Sequence, residues 1–499
     1  MASSARVKVL NLVQKRYEGN LLKIYSSIFI LLLFLLFTLK VNAQDTKEWS
    51  LEECINYALD NNISVKQQDL NIDYQNELLL QSKLGVLPNF NGFISHGYNW
   101  GQRVDPFTNE FATDRVRSNN LYLQGDLNIF SGLQQINIIK RNMLNLQAAQ
   151  YDADYYRDEI SITVAMEYLQ TLYFLEFVEM ANNQLDITNQ QVERTRKLVD
   201  AGTLAKGDLL IIEAQQASEE LSVVQAENDL TLSYLNLTQL LELETPAGFA
   251  IEKPELGLVD QPEIYTPEQI YGIAVENRPE IKSAEVKVES SERELGIARA
   301  TFYPSLSLNA SIGSGYSGAN YIYNNPSVFV SDDPLGVTAS DEFVYPFDYK
   351  YESRDSKPWG DQFNDNLNES VALNLRIPIF NGWATRSSVA QAKIGIANAD
   401  LTLQKQKREL YKIIQQAYND AIAAANKHKA ADKKVNATQE SFKYSEQKFD
   451  VGLVNSVEYN DAKKEANNAL SELIQAKYDY VFRVTVIDFY MGKPLTLTR

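Results

Sequence analysis

Val199 to Asp208 reads VDAGTLAKGD, and Phe449 to Glu458 reads FDVGLVNSVE. The two stretches are related by an offset of 250 in the numbering, with Asp200 matching Asp450, Gly202 matching Gly452 and acidic Asp208 matching acidic Glu458. The same offset holds upstream, where Tyr168 pairs with Tyr418 and Phe130-Ser131-Gly132 with Phe380-Asn381-Gly382. Further towards the N-terminus the offset becomes 216: Leu51 to Asn62 (LEECINYALDNN) aligns with Pro267 to Arg278 (PEQIYGIAVENR), and Pro88 with Pro304. Two constant offsets separated by one insertion describe a chain written twice. The first copy spans 44–265 and the second 266–499. The change of offset places the insertion in the second copy between Pro304 and Phe380, where the chain reads as an enlarged aromatic and acidic loop over about 317–366.

Each glycine stretch closes a very long helix. Leu133 to Ala201 contains neither Gly nor Pro, and the equally long Trp383 to Val451 has only Gly395 inside. At 1.5 Å per residue such a helix reaches roughly 100 Å, beyond the diameter of an ordinary domain. Past the turns, near 202 and 452, shorter partner helices run from Asp208 to Thr245 and from Leu453 to Met491, so each copy predicts an antiparallel hairpin. The apolar stripes are broken by residues such as Gln215, Gln216, Glu220 and Gln225. This fits helices that pack side by side while one face stays wet. A soluble four-helix coiled coil would carry the same helices, and only the strands separate the two readings.

Each copy starts with a short helix and then two strand-like runs. Leu121, Leu123, Leu127 and Ile129 alternate with Tyr122, Gln124, Asp126 and Asn128; Leu306, Leu308, Ala310 and Ile312 alternate with Ser and Asn; Val371 to Ile379 does the same, and Phe90 to Trp100 more loosely. A period of two with one apolar face suits a half-buried soluble sheet and a membrane barrel alike. Aromatics at the strand ends, among them Phe90, Tyr98, Trp100, Phe130, Tyr303, Phe380 and Trp383, favour the barrel, because aromatic girdles mark membrane interfaces. Four strands cannot close a barrel, whose lower limit is about eight. The simplest solution is a homotrimer contributing twelve strands. The fold class expected is therefore mainly α with a shared membrane β-barrel facing outer-membrane lipid.

Export is written at the N-terminus. Arg6, Lys8, Lys15, Arg16 and Lys23 precede an apolar run from Ile28 to Leu39 and the small-residue pattern Val41-Asn42-Ala43, which reads as a signal peptide over 1–43. The rest of the chain holds no apolar run near the length of a membrane-spanning helix, so if it enters a membrane it does so as a closed barrel. After Ala43 there are 41 basic and 64 acidic residues, a formal charge near −23, which excludes a nucleic-acid partner. Cys54 is the only cysteine, so no intrachain disulfide holds the chain together.

With its two glycine stretches, duplication, strand pairs and long hairpins, the chain resembles the TolC family of outer-membrane efflux proteins over essentially its whole mature length. The resemblance implies a trimeric channel-tunnel: a twelve-stranded barrel continued by a tube of twelve helices across the periplasm, served by an inner-membrane pump through a periplasmic adaptor. It places adaptor docking at the hairpin tips, here Ala201, Gly202 and Thr203 and, in the second copy, Val451, Gly452 and Leu453. Glycine there is also the ordinary residue past a helix end, whereas apolar Val451 and Leu453 at a tip call for a partner. The tunnel's constriction carries over to Glu458 and Asp461, with Asp208 as the acid that latches neighbouring helices. Threefold symmetry would make each carboxylate a ring of three, and such rings select cations. Glu458 and Asp208 also suit a first helical turn for dipole reasons alone. Phe449 and Val454 stand where the family's better-known members have tyrosine and arginine latch partners.

Other motifs carry no chemistry. Gly313-Ser314-Gly315-Tyr316-Ser317-Gly318 fits GxGxxG but ends a strand and leads into a loop, which fails the dinucleotide context. His96 and His428 are far apart and lack ligands at metal spacing. No enzyme activity and no cofactor are expected. The expectation is a passive, gated export duct; the alternative is a structural or adhesive outer-membrane trimer without transport.

Overall fold

A computed structural model describes residues 48–113, 115–254 and 265–497. The signal segment expected over 1–43 lies outside the described residues. The first copy runs β1 (Glu48–Trp49), α1 (Leu51–Asn61), α2 (Ile63–Leu84), β2 (Asn89–Asn99), β3 (Arg103–Val104), β4 (Phe111–Ala112), β5 (Val116–Ser131), α3 (Gln134–Asp200), α4 (Lys206–Leu240) and β6 (Ala250–Ile251). The second runs α5 (Pro267–Asn277), α6 (Pro279–Ala300), β7 (Ser305–Ser317), β8 (Tyr321–Val330), β9 (Gly336–Val337), β10 (Phe343–Val344), β11 (Phe347–Ser356), α7 (Trp359–Asp365), β12 (Asn368–Arg376), α8 (Ala384–Asp450) and α9 (Ser456–Tyr490).

The repeat is visible in the capping chemistry. Ser50 and Thr266, matched positions of the two copies, each close a capping box on the N-terminus of α1 or α5, with Glu53 and Gln269 as the reciprocal partners. Asn62 and Arg278, again matched, sit at the corners between α1 and α2 and between α5 and α6. Asn62 donates its amide to the Leu240 carbonyl. Arg278 lays its guanidinium over Phe489 and Tyr490, the latter being the position that matches Leu240. Both corners thus grip the far end of their own copy's hairpin.

The α2 and α6 helices, 22 residues each, are an addition to the single short helix expected before each strand pair. α2 lies against α3, and α6 is sandwiched between α3 and α8. The long helices match expectation at α3 and α8, 67 residues each. Their partners are shorter, 35 residues each. α9 starts at Ser456 rather than Leu453, because the Asn455 side chain accepts from the Val457 and Glu458 amides and sets the helix start there. The main apolar core joins α1, α3, α4 and α9 around Tyr168, Leu172, Leu237 and Ile474. Tyr168 is fully buried and donates to the Glu252 carbonyl at 2.7 Å beside the parallel β1–β6 pair.

The four expected strands form one antiparallel sheet in the order β12-β7-β5-β2. Register places Leu121, Leu123 and Leu127 opposite Ser314, Ile312 and Leu308, and Leu308 opposite Leu373, so apolar side chains gather on one face. On the other face Gln124, Asp126, Asn309 and Asn374 form a hydrogen-bonded ladder. Ile94, Leu123, Val371, Leu373 and Leu375 are exposed in the single chain. An exposed apolar belt backed by a wet polar face is the two-sided pattern of a membrane barrel wall.

The segment expected as an enlarged loop carries secondary structure of its own. Tyr321–Val330 pairs with Phe347–Ser356 in a long hairpin extended by β9 and β10, and α7 packs back on β7. Buried Gln362 bonds the Ser317 backbone at both its N–H and its carbonyl, so α7 caps the end of β7. The GxGxxG stretch lies mainly in β7. There Gly315 leaves room for Phe107, whose Cζ would stand 2.0 Å from an added Cβ. Gly313 likewise lies close against Tyr122, so both glycines serve strand packing.

Candidate gate and hairpin tips

Both hairpin turns are built alike. Gly202 and Gly452 take φ of +75° and +76°, the left-handed conformation that glycine adopts at no steric cost. Thr203 donates its amide to the Leu198 carbonyl at 2.9 Å, and Leu453 donates to Lys448 at 2.8 Å, the six-to-one bond of a Schellman end. These bonds satisfy the last carbonyls of α3 and α8 and leave the turn side chains outside. Ala201 and Thr203 are exposed, and Val451 and Leu453 are 70% and 75% exposed. Two large apolar side chains therefore stand free at the tip of the second hairpin.

The acids expected to form the constriction lie just behind these turns. Glu458 and Asp461 are both exposed and sit at i and i+3 in the first turns of α9, on one side of the helix. Asp208 occupies the first turn of α4 and accepts the Ser456 hydroxyl at 2.9 Å. It therefore links the start of one hairpin's return helix to the start of the other's, beyond any service to the helix dipole. Phe449 stacks on buried Tyr459 at 4.9 Å, so it closes the second hairpin on itself. The structure brings Asp208 and the start of α9 together; the tip residues expected to dock an adaptor belong to two separate turns.

One feature of this region was not visible in the sequence. Lys463, two turns into α9, is buried and ion-paired with Glu219 of α4 at 3.3 Å, with the Thr188 hydroxyl of α3 bonded to both. Desolvation on burial pulls the Lys463 ammonium below its ordinary value, although Glu219 opposes this. The neighbouring Lys464 is exposed. Adjacent lysines in an Ala- and Asn-rich run give no sign of which one turns inward.

A second charged cluster lies higher, at the Arg278 corner. Arg278, nearly buried, contacts Asp158 at 3.0 Å and Glu280 at 3.1 Å. Desolvation outweighs the attraction of Arg278 and, with Glu280 adding repulsion, raises Asp158 to about 6. A cavity of about 540 Å³ opens beside this corner, lined by Tyr155, Tyr156, Glu159 and Tyr490 among others. His96 bonds Asn119 and His428 stacks on Tyr480. Among the described residues no group of three or more His, Cys, Asp or Glu is placed to hold a metal ion, and no helix is long and apolar enough to cross a membrane.

Comparison with known proteins agrees with this architecture. A family model described as outer membrane efflux protein matches residues 54–242 and 270–493, one segment in each copy. The chain is 22% identical over 438 residues to the outer membrane protein TolC of Vibrio cholerae, covering 87% of this chain and 89% of that one. It is 22% identical over 342 residues to the alkaline protease secretion protein AprF of Pseudomonas aeruginosa, covering 67% of this chain and 61% of that one. Among solved structures, the outer membrane protein VceC from Vibrio cholerae superposes with a TM-score of 0.69 at 16% identity, over 89% of this chain and 97% of that one. The Campylobacter jejuni CmeC outer membrane channel gives a TM-score of 0.69 at 16% identity, over 89% and 85%.

Proposed function

The chain belongs to the outer membrane efflux protein family and lies in the outer membrane with its helices extending into the periplasm, and from that premise we propose that it is a passive, gated duct for export. Three copies pool their sheets into one twelve-stranded barrel, and their hairpins continue it as a tube. An inner-membrane pump supplies energy and cargo through a periplasmic adaptor, which docks on Ala201, Gly202 and Thr203 and on Val451, Gly452 and Leu453. The observation that carries this reading is the pairing of a one-sided apolar sheet with two hairpins of about 100 Å, a combination that gives a membrane pore a periplasmic extension.

The gate lies where the hairpins end. Glu458 and Asp461, exposed in the single chain, face the tube axis as rings of three carboxylates and draw cations. Asp208 steadies the closed state through Ser456. The tube supplies position and charge, and no bond is made or broken in it.

Single-channel recording of the purified protein in a planar bilayer tests this. The wild type should show a small cation-selective conductance, and the Glu458→Ala, Asp461→Ala double variant should conduct more or lose its selectivity. A variant identical to wild type would move the constriction elsewhere. A chain that inserts but passes no current would favour the structural or adhesive trimer, for which the exposed β8–β11 hairpin is the specific support.

A further inference from the structure

The face that α9 presents to the first hairpin changes character along its length. From Leu470 upward, α9 enters the main apolar core through Ile474, Tyr478 and Phe482. On the tip side of Leu470 its buried apolar residues are Tyr459, Ala466 and Ala469, and none of them belongs to an apolar cluster among the described residues. There the bonds to the first hairpin are polar: Ser456 to Asp208 at the tip, and Lys463 to Glu219 and Thr188 two turns further in.

The matching stripe of α3 is largely polar too, with Val192 as its buried apolar exception. Thr188 and Thr195 are buried, and the Thr195 hydroxyl and the amide nitrogens of Gln184 and Gln191 are buried without a hydrogen-bond partner. Such groups regain hydrogen bonds when water reaches them, so parting this seam restores interactions that packing withholds.

The ion pair at its centre is the opposite case. The side chains of Lys463 and Glu219 are only 3% and 8% exposed, and Gln215 supplies a further bond to Glu219 at 2.9 Å. A buried pair holds helices no more tightly than a well-packed apolar pair would, because desolvation offsets the attraction. Its distinctive property is that loss of one partner leaves an uncompensated buried charge. It therefore fixes one register between α9 and the first hairpin and no other.

We propose that the Lys463–Glu219 pair is the lock of the closed state: it holds the tip-ward half of α9 against the first hairpin, and opening breaks it as that half swings about the level of Leu470. Above that level the apolar packing persists and serves as the hinge support. The inference rests on the reading of the protein as a gated duct and names the element that regulates it.

Bilayer recording on the full-length protein distinguishes the two. Lys463→Met should raise the open probability at least about tenfold, since the closed state then buries a lone carboxylate. The exchanged pair Glu219→Lys, Lys463→Glu should return it towards wild type, which a loss of packing alone would not do. Lys464→Met, at the exposed neighbour, should change nothing. Unchanged gating in Lys463→Met, or an exchanged pair as open as the single variant, would each overturn the lock. A wild type that carries no current would instead overturn the duct on which it rests.

Discussion

At the scale of single residues, the duplication does not make matched positions equivalent. Gly132 and Gly382 are matched positions at the corner where a strand of the four-stranded sheet gives way to a long helix, and both take φ of +63°. Each is followed by a second residue at positive φ, Leu133 or Trp383, so the corner is two left-handed residues in series. Replacing either glycine by alanine costs the left-handed strain, about 1 kcal/mol. At Gly382 the added methyl meets nothing within 4 Å, whereas at Gly132 it would stand 2.5 Å from the Ala300 carbonyl oxygen and 2.8 Å from Tyr303 Cβ. Backbone cannot rotate aside as a flexible side chain can, so overpacking of roughly 1–3 kcal/mol adds to the strain there. Gly132→Ala should therefore lower the thermal unfolding temperature in detergent clearly more than Gly382→Ala. Equal shifts would show that the α6 end yields freely at the first corner.

At the scale of elements, the two faces of the sheet make opposite demands, and neighbouring positions on one strand test them. Leu373 and Asn374 are consecutive in β12; Leu373 belongs to the exposed apolar belt, and Asn374 donates to Asn309 on the polar face. An arginine on the lipid face near mid-bilayer costs roughly 2–4 kcal/mol, while one in a wet lumen costs little. Leu373→Arg should sharply reduce the amount reaching the outer membrane, measured by fractionation, and Asn374→Arg should not. Reversal of that order would put the lumen on the other side of the sheet. These strands were legible because a period of two is unambiguous over a whole strand, and α3 and α8 because nothing between Leu133 and Ala201, and only Gly395 between Trp383 and Val451, could interrupt them. Other elements left no such signature. α6 packs on two neighbours at once, so its apolar residues form no single stripe, and neither it nor α2 was anticipated. The inserted segment looked like a loop because Asp, Asn and Pro punctuate it. Only pairing shows that Tyr323, Val328, Tyr349 and Tyr351 share one hairpin. At the candidate gate the turn glycines and the Asp208–Glu458 match could be read from position in the repeat, Asp461 and the role of the acids rested on the family resemblance alone, and burial of Lys463 rather than Lys464 is a property of three packed helices that no single helix records.

At the scale of the whole molecule, the open question is how the sheet closes. β2 and β12 are its free edges, and in a bilayer their unpaired backbone groups have no water to bond, so each must meet another strand. Two copies would give eight strands, a barrel whose interior side chains just fill. That would leave no passage for hairpins of this length to extend. Three copies give twelve strands, the smallest cyclic number that opens a lumen while using every edge. If so, β12 of one protomer lies beside β2 of the next, and thiols placed on the two edges should join. Ile94 and Val371 are 83% and 76% exposed, which makes them accessible starting points, with Leu373 and Leu375 as alternatives to cover the register. The native Cys54 does not interfere, since it is fully buried and burial pushes its thiol up to about 12. Oxidation of Ile94→Cys combined in turn with Val371→Cys, Leu373→Cys or Leu375→Cys should give, for at least one pairing, a covalent ladder on a denaturing gel that stops at three chains. A ladder that stops at two would mean an eight-stranded barrel. One that continues past three would mean an edge-to-edge polymer. Either would remove the tube in which Glu458 and Asp461 form rings, whereas a stop at three would bring the acids of three tips around one axis.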